Sequence, residues 1–150
     1  MRVDPPFNQP GGPIRWCLHL PVARERVFDA LATDNGRERF WALRSAQHGA
    51  VIDFEFKGGV RTRAVVIECT SPTRFVLDYF GARTCVDLRD DGVGGTELTL
   101  TCRGVAPHDW HEVHAGWLNV LLPLKAWLMA GLDLRNPDPA RDWRAGYADA

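Results

Sequence analysis

The chain has 150 residues, 45% of them hydrophobic, which suits one compact domain (1–150) with a core and room for a cavity. Its net charge is -1, and the 18 basic side chains are scattered, which excludes the basic footprint of a nucleic-acid binder. The N-terminus, MRVDPPFNQPGGP, lacks the apolar run of a signal peptide, and the most apolar stretch carries His111, Asn119 and Lys125, too polar for a membrane span, so a cytoplasmic protein is expected.

Residues 1–13 are punctuated by Pro5, Pro6, Pro10 and Gly11-Gly12-Pro13 and read as an irregular arm that Phe7 can pin. Ile14 to Leu20 alternates, with Ile14, Trp16, Leu18 and Leu20 on one face, as a strand requires. Pro21 is expected to open a short helix that runs to about Thr33 and ends at Asp34-Asn35-Gly36. A second short helix or turn, from about Arg37 to Trp41, precedes polar residues that release the chain at Gly49.

From Val51 the pattern is strand-like. Ile52, Phe54 and Phe56 alternate with Asp53, Glu55 and Lys57, and Gly58-Gly59 makes a hairpin turn into Val60–Cys69. The faces of that strand are mixed, since Arg61 and Arg63 share parity with Val65 and Ile67, which points to a bulge. Ser71-Pro72, Gly81-Ala82 and 90–95 then separate Arg74–Phe80, Arg83–Arg89 and Thr96–Arg103. The four cysteines, 17, 69, 85 and 102, lie apart among strand residues and read as reduced, small apolar side chains.

The stretch 107–131, PHDWHEVHAGWLNVLLPLKAWLMAG, reads as one long helix, roughly 37 Å at 1.5 Å per residue. Pro107 suits its first turn, Gly131 its end, and Pro123 should bend it without breaking it. Val113, Trp117, Val120, Leu121, Leu124, Trp127 and Leu128 form a stripe that faces a core. Leu118, Leu122, Ala126 and Met129 lie nearly opposite, so either the tail (136–150) covers them through Trp143 and Tyr147, or they form a homodimer interface through Leu118, Leu122 and Met129. Strand, two short helices, a meander and a long helix make an α+β fold, with an antiparallel sheet covered on one face.

In this order, several phrases resemble the START-related helix-grip superfamily (SRPBCC, birch-pollen-allergen-like), in the branch of the activator of heat-shock-protein-90 ATPase. They are Leu20-Pro21 leading into Arg26–Leu31, Phe40-Trp41, Glu68–Pro72 with Arg74-Phe75, Gly95–Leu100, and His114–Trp117 with Leu121 and Leu124-Lys125. The resemblance spans roughly 14–132 and implies a curved antiparallel sheet of six or seven strands gripping a long C-terminal helix. It further implies an apolar cavity between the two, in which members bind lipids, hydrophobic metabolites or polyketides, or catalyse cyclisation.

The physical argument for a pocket is independent: a long helix cannot lie flush on a strongly curved sheet. Trp41, Phe54, Phe56, Phe75, Leu77, Tyr79, Leu98, Leu100, Trp117 and Leu121 are the expected lining, against the plainer reading that they fill a core. His108, His111 and His114 recur every three residues, but His111-Glu112-Val113-His114 is one residue short of HExxH, and no metal or other cofactor is assigned. There is no GxSxG, so no catalytic residue is assigned. Glu55, Glu68, Asp78 and Asp87, or Arg61 and Arg63, would matter chemically only if they pointed inward, and alternation favours their exposure. Three functions remain open: a non-enzymatic binder of a small hydrophobic molecule, which the residues favour; a cyclase- or aromatase-like enzyme using the same cavity; and a co-chaperone-like interaction domain.

Overall fold

The computed structural model describes residues 6–150. Its frame is one sheet of seven strands: β1 (Ile14–Leu20), β2 (Arg44–His48), β3 (Val51–Glu55), β4 (Arg61–Thr70), β5 (Arg74–Tyr79), β6 (Ala82–Asp90) and β7 (Thr96–Arg103). Their order is β1-β7-β6-β5-β4-β3-β2, with every neighbouring pair antiparallel. The helices α1 (Arg24–Ala32) and α2 (Asp34–Glu38) carry the chain from β1 to the opposite edge. After β7, a 3-10 turn (Pro107–Asp109), α3 (Trp110–Gly116) and α4 (Leu118–Ala130) cover one face of the curved sheet.

Alternation decides which side chains that covered face receives. Thr84, Val86 and Leu88 of β6 and Leu98, Leu100 and Cys102 of β7 are buried, while the residues between them are not. The mixed parity of β4 resolves as a bulge between Val66 and Glu68. Before it, Ala64 faces inward opposite Ile52; after it, Glu68 pairs with Val76 and reaches Arg74 at 3.1 Å. In the arm, positions 1–5 lie outside the described residues. Phe7 lies beneath the guanidinium groups of Arg15 and Arg103, 5.2 and 5.6 Å from its ring centroid, and the Asn8 side chain pairs with both backbone polar groups of Arg15.

Four expectations need correction. The first helix starts at Arg24, beyond Pro21. Asp34-Asn35-Gly36 begins α2 rather than closing α1, because Thr33 caps it: its Oγ1 accepts from Gly36 N–H at 3.0 Å. Gly36 is also required sterically, since a Cβ there would meet Ala30 O at 2.6 Å. Residues 44–48 form a strand instead of a loop. The stretch from 107 to 131 is not one helix: it is interrupted at Gly116-Trp117, whereas α4 runs on through Pro123. The His114 carbonyl, which an unbroken helix would offer to Leu118, accepts the Trp16 indole N–H at 3.1 Å. Trp117 keeps right-handed helical angles (φ -64°, ψ -28°), so the interruption is in the bonding and not in the sense of the helix. Gly131 closes α4 in the left-handed conformation (φ 63°), as the sequence predicts.

The polar strand β2 is held by Arg37, which is fully buried. Its guanidinium donates to Ser45 Oγ (2.8 Å), Leu31 O (3.0 Å), Asp34 Oδ1 (2.8 Å) and Gln47 Oε1 (2.9 Å), and Asp34 Oδ2 accepts from Gln47 N–H. Burial works to raise the Asp34 carboxyl, but hydrogen bonds from Gln47, Ser45 and Arg37 outweigh it and hold it below the ordinary carboxylate range. The folded value is the lower one, so this contribution is present above the unfolded carboxylate value near 3.8 and is lost as pH falls through the folded value. Removing the cation leaves the buried Ser45 Oγ and Leu31 O without their donor and the half-exposed Asp34 without its counter-charge. Arg37→Met is expected to lose about 3 kcal/mol in urea unfolding at pH 7, and to lose less at pH 3, where Asp34 is becoming protonated.

Candidate ligand-binding site

The ten expected lining residues lie on the inner side of the grip. Trp41, Phe54, Phe75, Leu77, Leu98, Leu100, Trp117 and Leu121 are buried; Phe56 and Tyr79 are partly exposed at one end. The structure divides them into two groups. Trp41, from the turn after α2, Phe54 and Phe56, from β3 and its end, Tyr79 from β5 and Trp117 from the α3–α4 junction form one aromatic cluster. Its ring centroids are 5.1 Å apart for Trp41–Phe54, 5.5 Å for Phe54–Tyr79, 5.3 Å for Tyr79–Trp117 and 5.7 Å for the stacked pair Phe54–Phe56. The other five are further along: Phe75 meets Phe28 of α1 edge to face at 6.3 Å, and Leu77, Leu98, Leu100 and Leu121 join the aliphatic core.

The polar groups in this interior are few. Trp41 Nε1–H donates to the Tyr79 hydroxyl at 3.2 Å, and burial pushes the Tyr79 phenol above its ordinary value, so it remains protonated. Trp117 Nε1 is buried, and among the described residues it meets no acceptor stronger than a thiol. Trp117 lies beside the Cys102 thiol, to which Thr84 Oγ1 donates at 3.6 Å; burial raises that thiol, so it behaves as a small apolar group.

A third group was not evident in the sequence as a unit. The imidazole of His114 stacks on Trp110 at 4.8 Å with an 11° interplanar angle and contacts Trp16 at 4.7 Å on its other side. Its Nε2 is buried without a partner, and burial, with the nearby His111 charge second, lowers its basicity. The recurrence of Trp110 and His114 four residues apart on one helix face was the available signal. His108 instead turns to Asp109 Oδ2 at 3.3 Å, and His111 is exposed, so the three histidines do not converge. Glu55, Glu68, Asp78 and Asp87 pair with Arg61, Arg74, Arg83 and Arg74 on the outer face, and Arg63 pairs with Asp53, so none of the candidate acids or arginines enters the grip.

The open end of the aromatic cluster is crossed by the tail. Arg135 donates to Ala42 O and Glu38 O (3.0 and 2.8 Å), Lys57 Nζ to Asn136 O and Arg141 O (2.6 and 3.1 Å), and Trp143 Nε1 to Glu112 (3.1 Å). The tail therefore ties the α2–β2 turn, the β3–β4 hairpin and α3 together beside Phe56. It covers the outer face of α4 differently from expectation: Ala148–Ala150, and not Trp143 and Tyr147, adjoin Leu118 and Leu122 in an apolar cleft of about 160 Å³. Leu122 and Met129 stay about half exposed, at 51% and 52%. A second, polar hollow of about 370 Å³ lies on the outer sheet face among Arg15, Asp87 and Glu97. Neither depression is between helix and sheet.

No family model and no curated protein sequence matches the chain. Solved structures do match it in shape. Protein SSP2350 of Staphylococcus saprophyticus superposes with a TM-score of 0.71 at 19% identity, over 82% of this chain and 96% of its own. The Aha1 dimer of Colwellia psychrerythraea gives 0.70 at 20% identity, over 79% and 97%. DynU16, from the dynemicin biosynthetic locus, gives 0.69 at 18% identity, over 81% of this chain and 48% of its own. The chain has the helix-grip fold. Within that fold, the aromatic cluster sits between the helix and the sheet, at the end the tail crosses. Among the described residues, no helix is long and apolar enough to cross a membrane.

If the tail closes this end, releasing it exposes the rings. The double variant Lys57→Met with Arg135→Met is expected to raise proteolytic cleavage within 136–150 several-fold and to increase the fluorescence of an apolar probe such as anilinonaphthalene sulfonate. Unchanged cleavage and probe signal would show that the tail is held by other contacts.

Proposed function

We propose that this protein binds a small hydrophobic molecule, an aromatic metabolite or a lipid, between α3–α4 and the sheet, and does so without catalysing a reaction on it. The observation that carries this reading is the cluster of Trp41, Phe54, Phe56, Tyr79 and Trp117 in the interior of the grip, gathered at the end where Phe80 packs on Phe56 and Tyr79 and the tail is bonded to Lys57. A planar molecule can replace ring–ring contacts by ring–ligand contacts of the same kind, whereas an alkyl chain replaces them less well. Placement of the acids on the outer face favours binding over cyclisation, because it leaves no carboxylate base in the cluster, and the Tyr79 phenol there is held protonated by burial. The shared fold with DynU16, from a biosynthetic locus, fits a metabolite ligand.

A second reading concerns assembly. The half-exposed Leu122 and Met129, with Leu118 between them and the tail, form the face through which we propose a homodimer; the matched Aha1 protein is itself a dimer. Sedimentation at tens of micromolar is expected to give a dimer that Leu122→Asp with Met129→Asp converts to a monomer. A wild-type monomer at that concentration removes the proposal.

For the ligand, native mass spectrometry of protein purified from cells, with organic extraction, is expected to yield a co-purifying apolar molecule. Protein that arrives empty and also fails to retain any of a panel of planar aromatics in equilibrium dialysis would mean that the rings are core and nothing more.

A further inference from the structure

The interior of the grip is not uniformly apolar. The Tyr79 hydroxyl accepts from Trp41 Nε1–H and, among the described residues, donates to nothing. Trp117 is only 4% exposed, and among the described residues its Nε1–H meets nothing stronger than the Cys102 thiol, a weak acceptor. Both belong to the same cluster, with ring centroids 5.3 Å apart and planes inclined at 44°. A buried donor left with at best a weak acceptor is costly, and packing does not explain it beside a hydroxyl used only as an acceptor, since Phe would fill either position without a polar atom. Near them, the inward atoms of Cys102 and Thr84 are engaged with one another and supply no strong acceptor.

Resting on the reading that the grip binds a planar hydrophobic molecule, we infer that this molecule carries a hydrogen-bond-accepting oxygen, a ketone or quinone carbonyl conjugated to its rings, that takes hydrogen bonds from Tyr79 O–H and Trp117 Nε1–H. The chemistry is ordered. Trp41 donates to the Tyr79 oxygen, which polarises the Tyr79 O–H and makes it a better donor to the next acceptor in line. A phenol kept protonated by burial offers that donor across the whole physiological range. Among the described residues no cationic side chain joins the cluster, and Arg61, Arg63 and Arg74 are paired on the outer face, so a neutral carbonyl suits the site better than a carboxylate, which would be desolvated without a counter-charge. The site thus separates ligands of equal shape by one oxygen, and a donor that finds no acceptor in the bound complex discriminates strongly against the hydrocarbon.

The test uses two probes of the same tricyclic skeleton, 9-fluorenone and fluorene, in equilibrium dialysis against the full chain, with near-ultraviolet circular dichroism confirming the fold of each variant. Wild type is expected to hold fluorenone about ten-fold more tightly than fluorene, and the bound carbonyl stretch to shift to lower frequency in the infrared difference spectrum. Tyr79→Phe, which retains the ring, is expected to reduce that preference several-fold, and Tyr79→Phe with Trp117→Phe to abolish both preference and shift while still binding fluorene. Equal binding of the two probes by wild type, without a carbonyl shift, overturns the inference and leaves the binding reading standing. Retention of neither probe overturns both.

Discussion

The layers of this molecule meet at the Trp117 indole. It sits where α3 gives way to α4, touches Trp41 from the helical segment and Tyr79 from the sheet, and lies beside Cys102 of β7. The helix can be interrupted there at little cost because Trp117 keeps helical angles, and because the carbonyl of His114 is engaged by the Trp16 indole of β1. One edge strand thereby fixes where the helix is allowed to loosen. Once Trp117 is placed, the helix has only one registration across the sheet, and the stripe of Val120, Leu121, Leu124 and Leu128 follows it into the core.

The far edge of the sheet depends on a different principle. β2 has no apolar face to bury, and what it offers inward is Ser45 and Gln47, satisfied by Arg37 and Asp34 of α2. A charged network substitutes here for hydrophobic contact, and it works only because nearly every donor and acceptor in it is paired. The network and the aromatic cluster adjoin, Ser45 pairing with Phe54 across β2 and β3, yet they are built oppositely: one is a polar network that is satisfied, the other an aromatic cluster whose Trp117 donor has at best a weak acceptor.

This contrast explains what was legible in the sequence. Strands β1, β3, β6 and β7 and the bulge in β4 were readable because alternation records which side of a sheet is wet, whereas β5, buried at Phe75, Val76 and Leu77 in succession, was readable from its bounding turns and the inward direction of Phe75 and Tyr79 was an assumption. β2 was not readable, since its order comes from partners in α2 and not from its own pattern. Nor was the start of α2, where Thr33 as a cap overrode the turn-like Asp34-Asn35-Gly36. The break at Gly116 escaped because the proline at 123 is the louder signal, yet a proline costs one hydrogen bond in a helix that flanking packing still supports, whereas a carbonyl taken by a distant indole leaves no trace in local sequence. The assembly of Trp16, Trp110 and His114 is similarly a product of topology, joining residues from the two ends of the chain. For the candidate lining, inward placement was legible and grouping was not: nothing in the spacing separates the five aromatics near the tail from Phe75 and the leucines beyond them.

The closed cluster bears on how such a site would select its ligand. Each aromatic pair contributes about 0.5–1.5 kcal/mol beyond the area it buries, so opening the cluster for a guest forfeits several such contacts at once. A guest whose faces restore them loses little, while a flexible chain restores area but not ring geometry and adds its own ordering cost. The tail enters the same balance, since its bonds from Lys57, Arg135 and Trp143 oppose opening at the end where Phe56 and Tyr79 are least covered. A grip arranged in this way favours rigid planar guests through the contacts it must give up, before any polar group of the guest is read.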